Sequence, residues 1–160
     1  MSVRNLDSLF DPASVAVIGA SERPGSVGAT VWHNLTQGSF PGLVYPVNPK
    51  YSAFGQQRVY ASVSDLPTTP ELAVICTPPA SVPALVKELA LRGTRAAIVL
   101  TAGLEASQKQ AMLDAARPHL VRLLGPNCIG LLSPHAGLNA SFAHINAHKG
   151  ELGKTSIESR

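Results

Sequence analysis

Five short apolar runs recur along the 160-residue chain, separated by segments with helical spacing or by proline-rich turns. The first run, Val15-Ala16-Val17-Ile18, meets Gly19-Ala20-Ser21. A loop with Pro24 and Gly25 follows, and then an amphipathic segment over 27–37. There Val27, Val31 and Leu35 recur at i, i+4 and i+8, and Gly38 stands where a helix C′ residue would. A second strand is expected at 42–47. Pro46 has no N–H, so this strand lies near an edge or turns that side out of the ladder. Residues 51–70 read as loop with a short strand around 57–60. A third strand at 71–76 stops at Thr77-Pro78-Pro79. The next helix, 81–91, puts Val82, Leu85, Val86 and Leu89 on one face and accepts Pro83 in its first turn, with Gly93 as its cap. A fourth strand at 96–100 ends in Thr101-Ala102-Gly103. A helix over 106–117 stops before Pro118, and a fifth strand at 121–124 runs into Gly125-Pro126-Asn127-Cys128. Ahead of all this, the short apolar segment 5–10 is closed by Asp11-Pro12. Alternating strands and helices without repeats or heptads predict an α/β fold: a doubly wound, mainly parallel sheet with helices on both faces.

Composition narrows the class without changing that picture. The length suits one domain, and 45% hydrophobic residues argue against disorder. Only 14% of residues are charged, which suits a buried parallel sheet. The net charge of +3 is scattered, with no basic run and only 5% aromatic residues, so no nucleic-acid partner is expected. Cys76 and Cys128 form no C-x-x-C pair and read as free thiols of a reducing compartment. No apolar stretch approaches the eighteen or so residues of a membrane span, and the N-terminus has no apolar signal core. A cytoplasmic location with no membrane partner is expected.

Ligands of such sheets bind beyond the carboxyl ends of the strands. The five loops there offer backbone groups, hydroxyls and one lysine, but no carboxylate. This is a site built to hold rather than to react, and no catalytic residue is assigned. The glycine loop and the helix after it would present amides to an anion. Its glycines, Gly19, Gly25 and Gly28, miss the dinucleotide spacing, because Ser21 stands where the second glycine belongs. A tight connection that holds nothing stays open as the alternative. The second loop discriminates further. Where an NAD-binding domain carries Asp or Glu, this chain has Asn48 and Lys50, and Lys50 suits a ribose phosphate.

Single residues invite competing readings. His144 and His148 stand at i, i+4, with His135 nearby, but the region is rich in loop formers and has no acidic or thiol ligand between His135 and His148. Surface histidines are expected there, and no metal. Cys128 is expected to pack or to orient the backbone rather than react, and Cys76 to act as a small buried hydrophobe. Trp32 lies off the apolar line of its helix, placed to cover a sheet edge or to meet a neighbouring domain.

Four motifs occur in order: Val15-Ala16-Val17-Ile18-Gly19-Ala20-Ser21, Tyr45-Pro46-Val47-Asn48-Pro49-Lys50, Thr77-Pro78-Pro79, and Arg122-Leu123-Leu124-Gly125-Pro126-Asn127-Cys128-Ile129-Gly130. Over roughly 9–142 the chain resembles the N-terminal CoA-binding domain of the NDP-forming acyl-CoA synthetases. That superfamily includes ADP-forming acetyl-CoA synthetase, the succinyl-CoA synthetase α subunit and acetyltransferase-fused bacterial members. The resemblance implies a Rossmann-like fold with CoA or an acyl-CoA lying across the strand ends. By its pattern Gly19, Ala20 and Ser21 contact the CoA phosphates, and Lys50 lies near the adenosine phosphate. Thr77, Pro78 and Pro79 pack along the nucleotide or pantetheine, Thr101 and Ala102 follow at the next strand end, and Asn127 and Cys128 face the thiol end.

The family's phosphohistidine lies in a second domain downstream, and 151–160 does not resemble the opening of that domain. The resemblance thus divides the chain into a CoA-binding domain over 1–150 and a truncated or divergent tail over 151–160. Such a chain would bind rather than turn over, with the missing synthetase domains as its partners in cis or in trans. Homo-oligomerisation stays open. Two other classes compete: a fragment of an NADP-dependent oxidoreductase, favoured by the strand–glycine–helix opening and Lys50, and a standalone CoA-sensing or scaffolding module.

Overall fold

The computed structural model describes residues 3–144. A short helix α1 (Leu6–Phe10) leads into β1 (Ser14–Ile18), followed by α2 (Val27–Thr36) and β2 (Leu43–Val47). Two two-residue strands, β3 (Ala53–Phe54) and β4 (Gln57–Arg58), form a small hairpin. The chain continues through β5 (Leu72–Ile75), α3 (Val82–Arg92), β6 (Ala96–Val99), α4 (Ala106–Ala116) and β7 (Arg122–Leu124). It closes with β8 (Gly130–Ser133) and β9 (Leu138–Ser141).

The central sheet has the order β2-β1-β5-β6-β7, and every pairing in it is parallel. Period-two alternation splits its side chains cleanly. Ala16, Ile18, Ala73, Ile75, Ala97 and Val99 face one layer with Val82, Val86 and Leu89 of α3 and Met112 and Ala116 of α4. Val15, Val17, Leu72, Val74, Ala96 and Ile98 face the other layer with Leu9, Val31 and Leu35 of α1 and α2 and Leu138 and Ala140 of β9. Helices thus cover both faces, as the periodicity predicts. β1 is buried along its whole length because it is central and covered on both sides.

β2 is one of the two edge strands of the sheet, in accord with Pro46. The Pro46 carbonyl faces outward and accepts from the Tyr60 N–H at 2.9 Å, and the Asn48 N–H donates to the Tyr60 carbonyl at 2.8 Å. The missing proline N–H therefore faces away from β1. Val47 and Tyr60 form a one-residue parallel bridge, a vestigial further strand outside β2. Trp32 covers this side, its ring centroid 5.6 Å from that of Phe54 in β3.

One expectation is corrected. The region around His135, rich in loop formers, is not simply loop: residues 130–141 form an antiparallel hairpin, β8 with β9, packed beside α2. Its polar residues Asn139 and Ser141 are buried, and Ser141 Oγ donates to Asn139 Oδ1 at 2.6 Å. Asn34 of α2 donates to the carbonyls of Ser141 and Ala143, both at 2.9 Å. Satisfied polar groups thus occupy core positions, so no apolar alternation marks the strand. Gly130 is required there: at φ +112 a Cβ would stand 2.3 Å from the Ala140 carbonyl oxygen. His135 and His144 are exposed, whereas His148 and the tail 151–160 lie outside the described residues.

Candidate functional site

The sheet order reverses at β1: α2 leaves toward one face and α3, after β5, toward the other. This is where an open α/β sheet forms a crevice. The strand ends are locked together there, Gly19 N–H to Val47 C=O at 2.9 Å and Cys76 N–H to Ile18 C=O at 2.8 Å. Beyond them opens a cleft of about 770 Å³, within the range of small-molecule sites.

One wall is the loop from Gly19 into α2. Ser26 caps the helix, its Oγ accepting from Ala29 N–H at 3.2 Å and donating to the Arg23 carbonyl at 2.8 Å. The N–H groups of Val27 and Gly28 find no acceptor among the described residues and border the cleft. Two free amides at the positive end of a ten-residue helix form an anion-binding feature. Ser21 Oγ accepts from Arg23 N–H at 3.0 Å and lies 3.1 Å from Tyr51 Oη, so a phenol from the neighbouring loop pins this wall.

The second wall follows β2. Asn48 donates from Nδ2 to the Ala20 carbonyl at 2.8 Å and accepts at Oδ1 from the Lys50 N–H at 2.9 Å. One side chain thus fixes both loops and sets the Lys50 backbone. The exposed Lys50 ammonium has no partner among the described residues. The third wall comes from β5 and α3. Ser81 Oγ lies 2.8 Å from both Thr77 Oγ1 and the Pro78 carbonyl, closing the turn into the helix. Burial pushes the Cys76 thiol up to about 12, so at neutral pH it is an uncharged lining group.

Of the residues expected in the site, Gly19, Ser21, Lys50, Thr77 and Pro78 line the cleft. Ala20 is buried behind it, and Pro79 opens the 3-10 turn Pro79–Ser81 that leads into α3. Thr101, Ala102, Asn127 and Cys128 do not line it. They form a ledge continuous with it: Thr101 Oγ1 donates to the Thr77 carbonyl at 2.7 Å, and Asn127 N–H donates to the Thr101 carbonyl at 3.0 Å. Gly125 makes that stacking possible, since a Cβ there would stand 2.3 Å from the Val99 carbonyl oxygen. Cys128 Sγ donates to that same carbonyl at 3.5 Å. Burial raises the Cys128 thiol, and backbone hydrogen bonds partly offset this.

Sequence reasoning missed Arg23, Ser26, Tyr51, Ser62, Ser81 and Glu88, all of which line the cleft. Only Tyr51, beside Lys50, and Ser81, at the head of the third helix, carry a positional signal. Among the described residues no three His, Cys, Asp or Glu side chains gather as a metal would need, and no helix is long and apolar enough to cross a membrane.

A parallel sheet with a crevice at its switch point, and helix amides and cations at the rim, defines a Rossmann-like α/β domain. Residues 13–134 match the family model described as CoA binding domain, and the chain belongs to that family. It is 37% identical over 143 residues to the ADP-forming acetate–CoA ligase of Methanocaldococcus jannaschii, covering 87% of this chain and 20% of that one. It is 35% identical to subunit alpha of ADP-forming acetate–CoA ligase I from Pyrococcus furiosus, covering 92% of this chain and 34% of that one. The structure superposes with a TM-score of 0.79 on acetyl-coenzyme A synthetase 1 of Ca. Korarchaeum cryptofilum, solved with phosphate and ADP. There the identity is 34%, covering 86% of this chain and 30% of that one. The chain is thus a CoA-binding domain homologous to the N-terminal part of NDP-forming acyl-CoA synthetases, and spans about a fifth to a third of the length of these relatives.

Proposed function

We propose that the cleft seats CoA or an acyl-CoA with its phosphates against the start of α2. The observation that carries this is the pair of amides at Val27 and Gly28, free among the described residues. They share the cleft lining with Gly19, Ser21 and the cations Arg23 and Lys50, neither of whose side chains has a partner among the described residues. Lys50 pairs with the ribose 3′-phosphate, and the backbone amides take the diphosphate. The pantetheine arm leaves past Thr77, Pro78 and Pro79 along the ledge of Thr101, Ala102, Asn127 and Cys128. The continuous hydrogen bonding of Thr77, Thr101 and Asn127 supports this path.

In this reading the domain spans 1–150 and serves an NDP-forming acyl-CoA synthetase in the cytoplasm. Phosphoryl chemistry is carried by partner domains in cis or in trans. The domain holds the thiol ester donor or acceptor in acyl-CoA + NDP + phosphate ⇌ carboxylate + CoA + NTP.

Calorimetric titration of the chain with CoA, acetyl-CoA, dephospho-CoA and NADP(H) tests the reading. CoA and acetyl-CoA should bind, and dephospho-CoA more weakly, with Lys50→Ala erasing that difference. Binding of NADP(H) alone would sink the proposal in favour of an oxidoreductase fragment. Equal binding of CoA and dephospho-CoA would remove only the role of Lys50.

A further inference from the structure

The cleft carries its cations and its carboxylate on different elements. Arg23 and Lys50 belong to the loops after β1 and β2, whereas Glu88 is the only carboxylate among the lining residues and sits on α3. Ser81, Leu85 and Glu88 recur at i, i+4 and i+7, which places them on one helix face. At 1.5 Å per residue, Glu88 stands about 10 Å along the axis from Ser81 and the strand ends. It is half-buried, and its carboxylate has no hydrogen-bond or ion-pair partner among the described residues.

A carboxylate in a cleft for a polyanion is repulsive unless a donor of the ligand meets it. CoA carries its phosphates and one exocyclic amine at different points, and that amine, N6 of the adenine, is a donor. Resting on the seating of CoA proposed above, we infer that Glu88 reads the base: its carboxylate accepts from adenine N6–H, with Leu85 and Val63 as apolar walls for the ring. Glu88 is then a specificity residue that selects a 6-aminopurine, which the strand-end loops do not discriminate.

The test compares CoA with 1,N6-etheno-CoA, in which the amine is tied into a ring and donates nothing. It uses calorimetry on the full chain and on Glu88→Ala, with circular dichroism to confirm that the variant folds. Alanine is a good helix former at this half-buried position, so the fold should survive. One charge-assisted hydrogen bond at a partly solvated site predicts that the wild type prefers CoA by roughly five- to tenfold. Glu88→Ala should weaken CoA by a similar factor and leave etheno-CoA unchanged or tighter. If Glu88 merely borders the cleft, removing its charge should tighten CoA and etheno-CoA alike, and the inference falls. Equal affinities of the wild type for the two ligands would also overturn it. Loss of all CoA binding by the folded wild type would instead overturn the seating itself.

Discussion

Gly28, the second residue of α2, rests on the carbonyl of Gly19 so closely that a Cβ at position 28 would stand 2.0 Å from that oxygen. This contact brings the helix N-terminus onto the strand end and aims its free amides into the cleft. It performs the packing role of the last glycine in a dinucleotide fingerprint, although the spacing is longer.

Gly28→Ala therefore forces α2 away from Gly19. Overpacking of this kind costs about 1–3 kcal/mol. The urea midpoint and the CoA affinity should fall together. Gly55→Ala is the control: its φ is +57 and, among the described residues, nothing lies within 4 Å of the added Cβ. It should cost about 1 kcal/mol of stability through backbone strain and leave affinity unchanged.

Asn48→Asp keeps the acceptor for Lys50 N–H but replaces the donor to the Ala20 carbonyl with a second carboxylate oxygen. Loss of the bond should cost about 1–2 kcal/mol of stability. The added negative charge, in a cleft set for phosphates, should lower CoA affinity by about tenfold or more. Asn48→Ala loses both bonds without the charge. Titration at low and high salt separates the two effects, because only the aspartate penalty shrinks with screening.

Thr101 commits its hydroxyl to the Thr77 carbonyl at 2.7 Å. Thr101→Val removes that bond at nearly constant shape, and should cost about 1 kcal/mol in urea denaturation. Because Thr77 borders the cleft and Thr101 does not, CoA affinity should fall less than in a Thr77 variant.

The strands are legible as unbroken apolar runs, as in Val15–Ile18, and α2 and α3 by one helical period, as in Val82, Val86 and Leu89. By contrast α4, which buries only Met112 and Ala116, is marked chiefly by its stop before Pro118. The β8–β9 hairpin is not legible, because Asn139 and Ser141 fill core positions with bonded polar groups. The cleft is legible at Gly19, Lys50 and Thr77, since ligands favour strand ends. That rule does not say which ends meet. β7 lies two strands beyond β5, about 10 Å away at ordinary spacing, which leaves Asn127 and Cys128 outside. Glu88 was hidden for another reason: a helical pattern marks the core face of α3, and the cleft is lined by a flank of that helix.

The thiols give the last prediction. Cys76 is pushed from its ordinary 9.0 up to about 12 by burial, whereas the unfolded chain ionises near the ordinary value. The neutral thiol is favoured only in the fold, so its contribution is whole below pH 9 and drains away as the pH climbs from 9 through 12. Stability measured by urea denaturation should thus decline over that window. Cys76→Ala should be slightly less stable at pH 7 and flatter above pH 9. Iodoacetamide at pH 8 offers an independent reading, since the folded Cys76 thiolate fraction is then roughly one in ten thousand. Cys128 is raised too, but backbone hydrogen bonds on the ledge pull it back, whereas nothing offsets burial at Cys76. It should be labelled first, and Cys76 only after unfolding. Prompt labelling of Cys76 in the native chain would show a thiolate fraction far above what a value of about 12 allows and would remove the basis for the alkaline window.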